Sequence, residues 1–199
     1  PEAKDQYEET EGSLLAIQTK VQNGNWTFKP KLYWRRGQDH YLYIRTNPEI
    51  YENWHITHKA GSALDISLAS KLGTTGMGFD FSRVSIASNN LGNRFRKVAI
   101  FFLEQRFTFC DKIFDLTPGV AIKIYSDFGN FAYPGLDVGF QFDRQWRLYG
   151  NVGYTYRIPT YTDLFYSDRT TIGNPDLKPE EALAKELGLR FTSKMLTFY

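Results

Sequence analysis

Residues 146–157 read WRLYGNVGYTYR, and this stretch decides the fold. Successive side chains of a β-strand point to opposite faces, so alternation with a period of two predicts a strand with two different faces. One face carries Trp146, Leu148, Gly150, Val152, Tyr154 and Tyr156. The other face carries Arg147, Tyr149, Asn151, Gly153, Thr155 and Arg157. The strand ends near Pro159, because proline cannot donate to a β-ladder.

The same alternation recurs through most of the chain. Tight turns are predicted near 23–25, 73–76, 111–112, 143–145 and 193–194. Longer connections are predicted at 36–58, 126–134 and the break of about 20 residues after Arg157. Short turns that alternate with long loops are typical of outer-membrane barrels. We therefore predict an all-β fold, an antiparallel up-and-down meander of about ten strands that forms part of a transmembrane β-barrel. The alternative is a soluble antiparallel sandwich, which also alternates.

Composition excludes several classes of protein. The formal net charge of +2 argues against a nucleic-acid partner, which usually meets a strongly basic face. No run of 18 apolar residues is present, so no transmembrane helix is expected. Cys110 is the one cysteine and predicts no internal disulfide. Aromatic residues make up 17% of the chain, which favours β-structure.

The sequence offers no catalytic or metal-binding signature. His55 and His58 lie three positions apart, which places them on opposite faces of a strand, and no cysteine or carboxylate cluster accompanies them. No nucleophile elbow, phosphate loop or dinucleotide fingerprint is present. We predict that the chain is not an enzyme and has no metal site and no cofactor.

Aromatic residues in the longer connections are the stronger functional signal. Tyrosine and tryptophan offer rigid amphipathic surfaces for ligand contact, although barrels also place them in a girdle at the membrane interface. The candidate ligand contacts are Tyr41, Tyr43, Tyr51, Trp54, Arg157, Tyr161, Asp163 and Tyr166.

Two boxes that flank the long break resemble the paired motifs of TonB-dependent outer-membrane receptors. The first box reads Tyr-Arg-Ile-Pro at 156–159, and the second reads Asn-Pro-Asp-Leu-Lys-Pro-Glu at 174–180. The motif residues are Tyr156, Arg157, Pro159, Asn174, Pro175, Leu177, Pro179 and Glu180.

This resemblance implies a barrel of about 22 strands around an N-terminal plug. It implies import of a scarce small nutrient across the outer membrane of a Gram-negative bacterium, with outer-membrane lipid and TonB as partners. The resemblance implies a cobalamin-type corrinoid or a ferric siderophore as cargo. Haem is disfavoured, because haem receptors of the family carry a histidine between the boxes and residues 160–173 contain none.

We interpret residues 1–199 as a partial receptor barrel without its plug domain. Ten strands of such a barrel would leave two open edges, through which the fragment could pair with another copy. The alternative is a stand-alone barrel or sandwich that binds or adheres without transport. Within the long break, we expect Glu180 to lie within reach of Arg157 and the loop to be held over the lumen mouth. Tyr161, Asp163 and Tyr166 would then face the ligand.

Overall fold

The computed structural model describes residues 3–111 and 113–198, and its architecture is a single antiparallel sheet. Short 3-10 turns cover Ala3–Asp5 and Pro48–Ile50, and α1 covers Tyr161–Phe165. The strands are β1 (Tyr7–Gln18), β2 (Val21–Asn23), β3 (Trp26–Leu42), β4 (Glu52–Ser70), β5 (Gly73–Ser88), β6 (Arg94–Phe109), β7 (Phe114–Tyr125), β8 (Gly129–Gln141), β9 (Trp146–Arg157), β10 (Glu180–Thr192) and β11 (Thr197–Phe198).

The strands follow one another in an up-and-down meander. The order across the sheet is β1-β3-β4-β5-β6-β7-β8-β9-β10-β11, and β2 continues the line of β1 by pairing with β3. Among the described residues the sheet does not close, because β1 and β11 end the order at opposite edges. The predicted antiparallel meander is confirmed.

The register gives the sheet one apolar and one polar face. Neighbouring residues across a sheet point to the same side, so a row of Cα partners shows the chemistry of a face. One row is apolar from β3 to β8 and consists of Pro30, Leu64, Phe79, Phe101, Ile122 and Ala132. A row on the other side is polar from β7 to β10 and consists of Thr117, Asp137, Asn151 and Glu186.

The sheet has a single layer, which rules out the sandwich. A folded monomer of 23.1 kDa is expected to expose about 9,700 Å², whereas this chain exposes 14016 Å². Among the described residues, the buried apolar side chains are few: Leu42, Ile86, Leu91 and Leu164. Many large apolar side chains are instead exposed on the apolar face.

Aromatic side chains gather on the apolar face at one end of the sheet, which we name the turn end. The connections at 24–25, 71–72, 110–113, 142–145 and 193–196 lie there. Such a row is typical of the girdle at a membrane interface. Its members, many of them in mutual ring contact, are Trp26, Phe28, Phe107, Phe109, Phe114, Phe140, Phe142, Trp146, Phe191 and Phe198.

The predicted turn at 73–76 is wrong by two residues. The chain turns at 71–72, and β5 already begins at Gly73. Gly73 has a φ of +116°, and a Cβ there would lie 1.9 Å from the Arg106 carbonyl oxygen. Only glycine fits this position, so it marks the first residue of the strand rather than the turn. In the predicted turn at 111–112, Lys112 lies outside the described residues.

The opposite end of the sheet, which we name the loop end, carries the connections 43–51, 89–93, 126–128 and 158–179. Two of them are shorter than predicted. β8 begins at Gly129, so the predicted long connection 126–134 is mostly strand. β3 and β4 extend to Leu42 and from Glu52, so the predicted loop 36–58 shrinks to nine residues. The strict alternation of short and long connections is therefore wrong, although the longest loop stands where it was expected.

Candidate functional site

Internal hydrogen bonds and a short helix give the long loop, residues 158–179, a defined structure. Pro159 is buried, and the chain then enters α1 through a capping box. The Thr160 hydroxyl accepts the Asp163 N–H at 3.1 Å, and Asp163 Oδ2 accepts the Thr160 N–H at 2.9 Å. Reciprocal capping of this kind fixes where a helix starts. The hydrogen bond from the Thr160 N–H lowers the pKa of the Asp163 carboxyl.

Arg157 ties the two ends of the loop together. Its Nε donates to Glu180 Oε2 at 2.9 Å and its Nη2 to Glu180 Oε1 at 2.6 Å, while Nη1 lies 3.4 Å from Asp163 Oδ2. A bidentate guanidinium–carboxylate pair fixes geometry as well as charge. The Arg157 guanidinium lowers the pKa of Glu180, and Glu180 raises the pKa of Arg157. The expected contact between Arg157 and Glu180 is present.

The returning half of the loop packs against the backbone of α1. The N–H of Gly173 donates to the Tyr166 carbonyl at 2.6 Å, and the N–H of Asn174 donates to the Asp163 carbonyl at 2.9 Å. A Cβ on Gly173 would lie 2.7 Å from the Leu164 carbonyl carbon. This close approach requires glycine. We call residues 157–165 and 173–180 the base of the loop and residues 166–172 its tip.

The other motif residues belong to the base or, in the case of Tyr156, lie next to it in β9. Tyr156 packs on Phe131 and Tyr133, with ring centroids 5.2 and 5.3 Å away. The Asn174 side chain accepts the Asp176 N–H at 2.9 Å, and its carbonyl accepts the Leu177 N–H at 3.3 Å. Pro175 and Pro179 flank this turn. The motif therefore builds a scaffold.

Two arginines of β6 hold the base against the polar face of the sheet. The guanidinium of Arg94 lies 3.3 Å from the ring centroid of Phe165. Arg96 donates to Asp127 Oδ2 at 2.7 Å and to the Pro159 carbonyl at 3.2 Å, and it also lies over the rings of Phe128 and Tyr161. Contacts between a guanidinium and an aromatic ring stabilise such packing. Burial raises the pKa of Tyr161.

The tip reaches across the loop end to β4 and its neighbours. Asn90 and Ser167 exchange two hydrogen bonds, at 3.0 and 3.1 Å. The Tyr51 and Tyr166 hydroxyls lie 2.5 Å apart. Asn53 Nδ2 donates to Tyr51 at 2.9 Å. These contacts join segments that are 77 and 115 residues apart in sequence.

These hydroxyls form a chain of hydrogen bonds. The Tyr166 hydroxyl lies 3.1 Å from Asp168 Oδ2 and 2.5 Å from the Tyr51 hydroxyl, which accepts the Asn53 Nδ2–H. The bond to Tyr51 raises the pKa of Tyr166 to about 12. Asp168 Oδ1 accepts the N–H groups of Thr170 and Thr171, both at 2.7 Å, which lowers the pKa of Asp168. Asp168 therefore remains a carboxylate at neutral pH.

A cavity of about 610 Å³ lies between the tip and the loop ends of β3 and β4. Its size falls in the range of small-molecule sites. Its lining residues are Glu8, Asp39, Tyr41, Tyr43, Ile50, Tyr51, Asn53, His55, Tyr166, Asp168, Arg169 and Thr170. Tyrosine hydroxyls and carboxylates thus surround one space at the loop end.

The structure divides seven of the eight predicted ligand contacts into two groups, and Trp54 stands apart from both. Tyr41, Tyr43, Tyr51 and Tyr166 converge on the cavity. Arg157, Tyr161 and Asp163 instead lie in the base, where they contact protein groups.

The expectation of a loop position for Trp54 is wrong. Trp54 lies in β4, on the opposite face from Asn53 and His55, and stacks on His40 at 4.8 Å. Tyr41 likewise lies in β3, but its side chain lines the cavity. Sequence reasoning missed Asp39, Asn53 and Asp168. The alternation of side chains could have identified Asn53, because a residue two positions from Tyr51 in an extended segment shares its face.

The described part of the chain contains no group of three or more histidine, cysteine, aspartate or glutamate side chains that could hold a metal ion. None of its helices is long and apolar enough to cross a membrane.

A single open sheet with one apolar face, an aromatic girdle and a loop folded over the polar face defines part of a receptor barrel. The family model described as TonB dependent receptor-like, beta-barrel matches residues 3–199. The chain belongs to this family, which consists of receptors and transporters rather than enzymes. No curated protein matches the sequence.

Solved structures share the fold at low identity. The siderophore receptor PirA from Pseudomonas aeruginosa matches with a TM-score of 0.80 and 13% identity, over 96% of this chain and 38% of that chain. A mutant of the ferric enterobactin receptor PfeA from the same organism gives 0.80 and 14%, over 96% and 33%. A double mutant of the Serratia marcescens hemophore receptor HasR, in complex with its hemophore HasA and heme, gives 0.82 and 16%, over 98% and 38%. The chain thus spans between 33% and 38% of these receptors.

Proposed function

We propose that the chain is part of the barrel of a TonB-dependent importer in the outer membrane of a Gram-negative bacterium. The observation that carries the proposal is the single-layer sheet, whose apolar face exposes many large side chains among the described residues and bears an aromatic girdle. Lipid is the phase that suits such a face. Family membership adds TonB as the source of energy for transport.

We propose a ferric siderophore as the cargo. PirA and PfeA are described as siderophore and ferric enterobactin receptors, which supports a siderophore over a cobalamin-type corrinoid. The cavity bounded by Tyr41, Tyr43, Tyr51 and Tyr166 would receive the cargo at the mouth of the barrel. HasR shows that the same fold accompanies heme, but residues 160–173 of this chain carry no histidine.

The test is uptake of radioactive iron by iron-starved cells that produce the complete receptor. Uptake from a panel of ferric siderophores should require both this receptor and TonB, and the receptor should fractionate with the outer membrane. Unchanged uptake after deletion of the receptor gene, or a receptor found in the soluble fraction, would overturn the proposal. A receptor that binds cobalamin but no ferric siderophore would overturn the cargo assignment alone.

A further inference from the structure

The cavity at the loop end has a negative lining. Three carboxylates, Glu8, Asp39 and Asp168, line it together with one guanidinium, Arg169. The formal charge of these four groups is therefore −2, which favours a cationic group in the cavity and opposes an anionic one. This inference rests on the proposed function, because it concerns the cargo of the same receptor.

His55 also lines the cavity. Its Nδ1 lies 2.7 Å from the Ser88 hydroxyl oxygen, which also accepts the N–H groups of Asn90 and Leu91 at 3.1 and 2.8 Å. The Nδ1 atom is therefore already engaged with a protein group.

Within the part of the chain that the structure describes, two residues of the lining have acceptor atoms that lack a donor. Asn53 is 7% exposed, and its Nδ2 donates to the Tyr51 hydroxyl oxygen. Its Oδ1 is buried and accepts no hydrogen bond from the described residues. Asp39 Oδ1 is likewise buried and unpaired. An unsatisfied buried acceptor costs about 1–3 kcal/mol, so a donor that enters the cavity would be stabilised.

The aromatic and basic side chains around the cavity also favour a cation over an anion. Four tyrosine rings line it, and their faces attract cations. Arg169 is the lining guanidinium already counted in the formal charge, and two other arginines of the loop end are engaged: Arg94 with Phe165, and Arg96 with Asp127. Arg35 lies four residues nearer the middle of β3 than Asp39, and Lys59 lies four residues nearer the middle of β4 than His55.

We propose that this cavity binds a cationic, hydrogen-bond-donating group of the cargo, such as a free ammonium group. The receptor then prefers a ferric siderophore that carries such a group to an anionic ferric catecholate. Asp39 supplies the opposing charge, Asn53 accepts a hydrogen bond, and the tyrosine rings enclose the cation.

Three probes test the preference on the complete receptor in detergent. They are a ferric trihydroxamate with a free terminal amine, the same compound with the amine acetylated, and a ferric tris-catecholate. Tryptophan fluorescence quenching gives each affinity. We expect the free-amine probe to bind about tenfold tighter than its acetylated form, and tighter still than the catecholate. Asp39→Asn should abolish the difference between the two trihydroxamates, and Glu8→Gln, at an exposed position, should reduce it about threefold.

Asp137→Asn is the matched control, since Asp137 lies on the same polar face but outside the cavity, opposite Asn151. It should leave the difference intact. Equal binding of the two trihydroxamates to the unmodified receptor, or tighter binding of the catecholate, would overturn the charge preference while the importer assignment stands. Binding of none of the three probes would overturn the siderophore assignment together with the preference that rests on it.

Discussion

The base and the tip of the long loop differ in what their polar groups contact. In the base, Arg157, Asp163 and Glu180 satisfy one another, and Arg96 pairs with Asp127. In the tip, the hydroxyl chain through Tyr51 and Tyr166 borders a cavity in which Asn53 Oδ1 lacks a donor. The charged groups of the base pair with one another, as suits a scaffold, while the Tyr161 hydroxyl is buried and has no hydrogen-bond partner among the described residues. The difference teaches that the family motif holds the loop in place and that the neighbouring tip borders the candidate site.

The largest effect is expected where the base supports the tip. Gly173→Ala places a Cβ 2.7 Å from the Leu164 and Phe165 backbone, which cannot move aside as a side chain could. At a cost of about 2 kcal/mol, cargo affinity should fall about thirtyfold. Fluorescence titration of the complete receptor measures it. Gly12→Ala is the control, because a Cβ on Gly12 meets nothing within 4 Å. Equal affinities of the two variants would show that the base does not support the tip.

A smaller effect should separate the tip from the base. Tyr166→Phe removes the hydroxyl that links Tyr51 to Asp168, and loss of about 1 kcal/mol predicts an affinity lowered about fivefold. Hydrogen exchange of the base should stay unchanged. Trp54→Phe, on the opposite face of β4, is the matched aromatic control and should bind normally. If both substitutions weaken binding equally, the cavity is not the site.

The smallest effect concerns charge in the base. The pKa values of Glu180 and Asp163 are lowered in the folded loop, so the two carboxylates stabilise this loop when they are ionised. This stabilisation is present above their ordinary pKa values of about 4.3 and 3.9 and is lost as the pH falls through the lowered values. Hydrogen exchange in 158–179, corrected for intrinsic rates, should accelerate below about pH 4. Arg157→Gln should flatten this pH dependence and weaken cargo binding about threefold at pH 7. An unaltered pH profile in the variant would rule out the clamp.

Much of the fold could be predicted because the strands carry their faces in their own sequence. The alternation in 146–157 puts Trp146 on the apolar face and Asn151 on the polar face, and the register pairs them with Phe191 and Glu186. The turn at 71–72 was missed because Leu72 continues the apolar alternation although it is 71% exposed. Gly73 becomes diagnostic only beside the Arg106 carbonyl, which the sequence does not place.

The candidate site could be predicted only in part. Aromatic content identified Tyr41, Tyr43, Tyr51 and Tyr166, but no local pattern reveals that Tyr51 meets Tyr166 across 115 residues. Arg157 and Asp163 were predicted as ligand contacts, whereas the structure shows them bonded to protein groups within the loop. Long-range contacts depend on how the sheet curves and where the loop lies, and the residue types alone predict neither.

The most direct test is a structure of the complete receptor with its cargo bound. The cargo should lie in the cavity against Tyr41, Tyr51 and Tyr166, with a donor group near Asn53 Oδ1 and Asp39, and the pair of Arg157 with Glu180 should be unbroken. Cargo bound against Arg157, Asp163 and Tyr161, with the cavity empty, would contradict the division of the loop into a scaffold and a site.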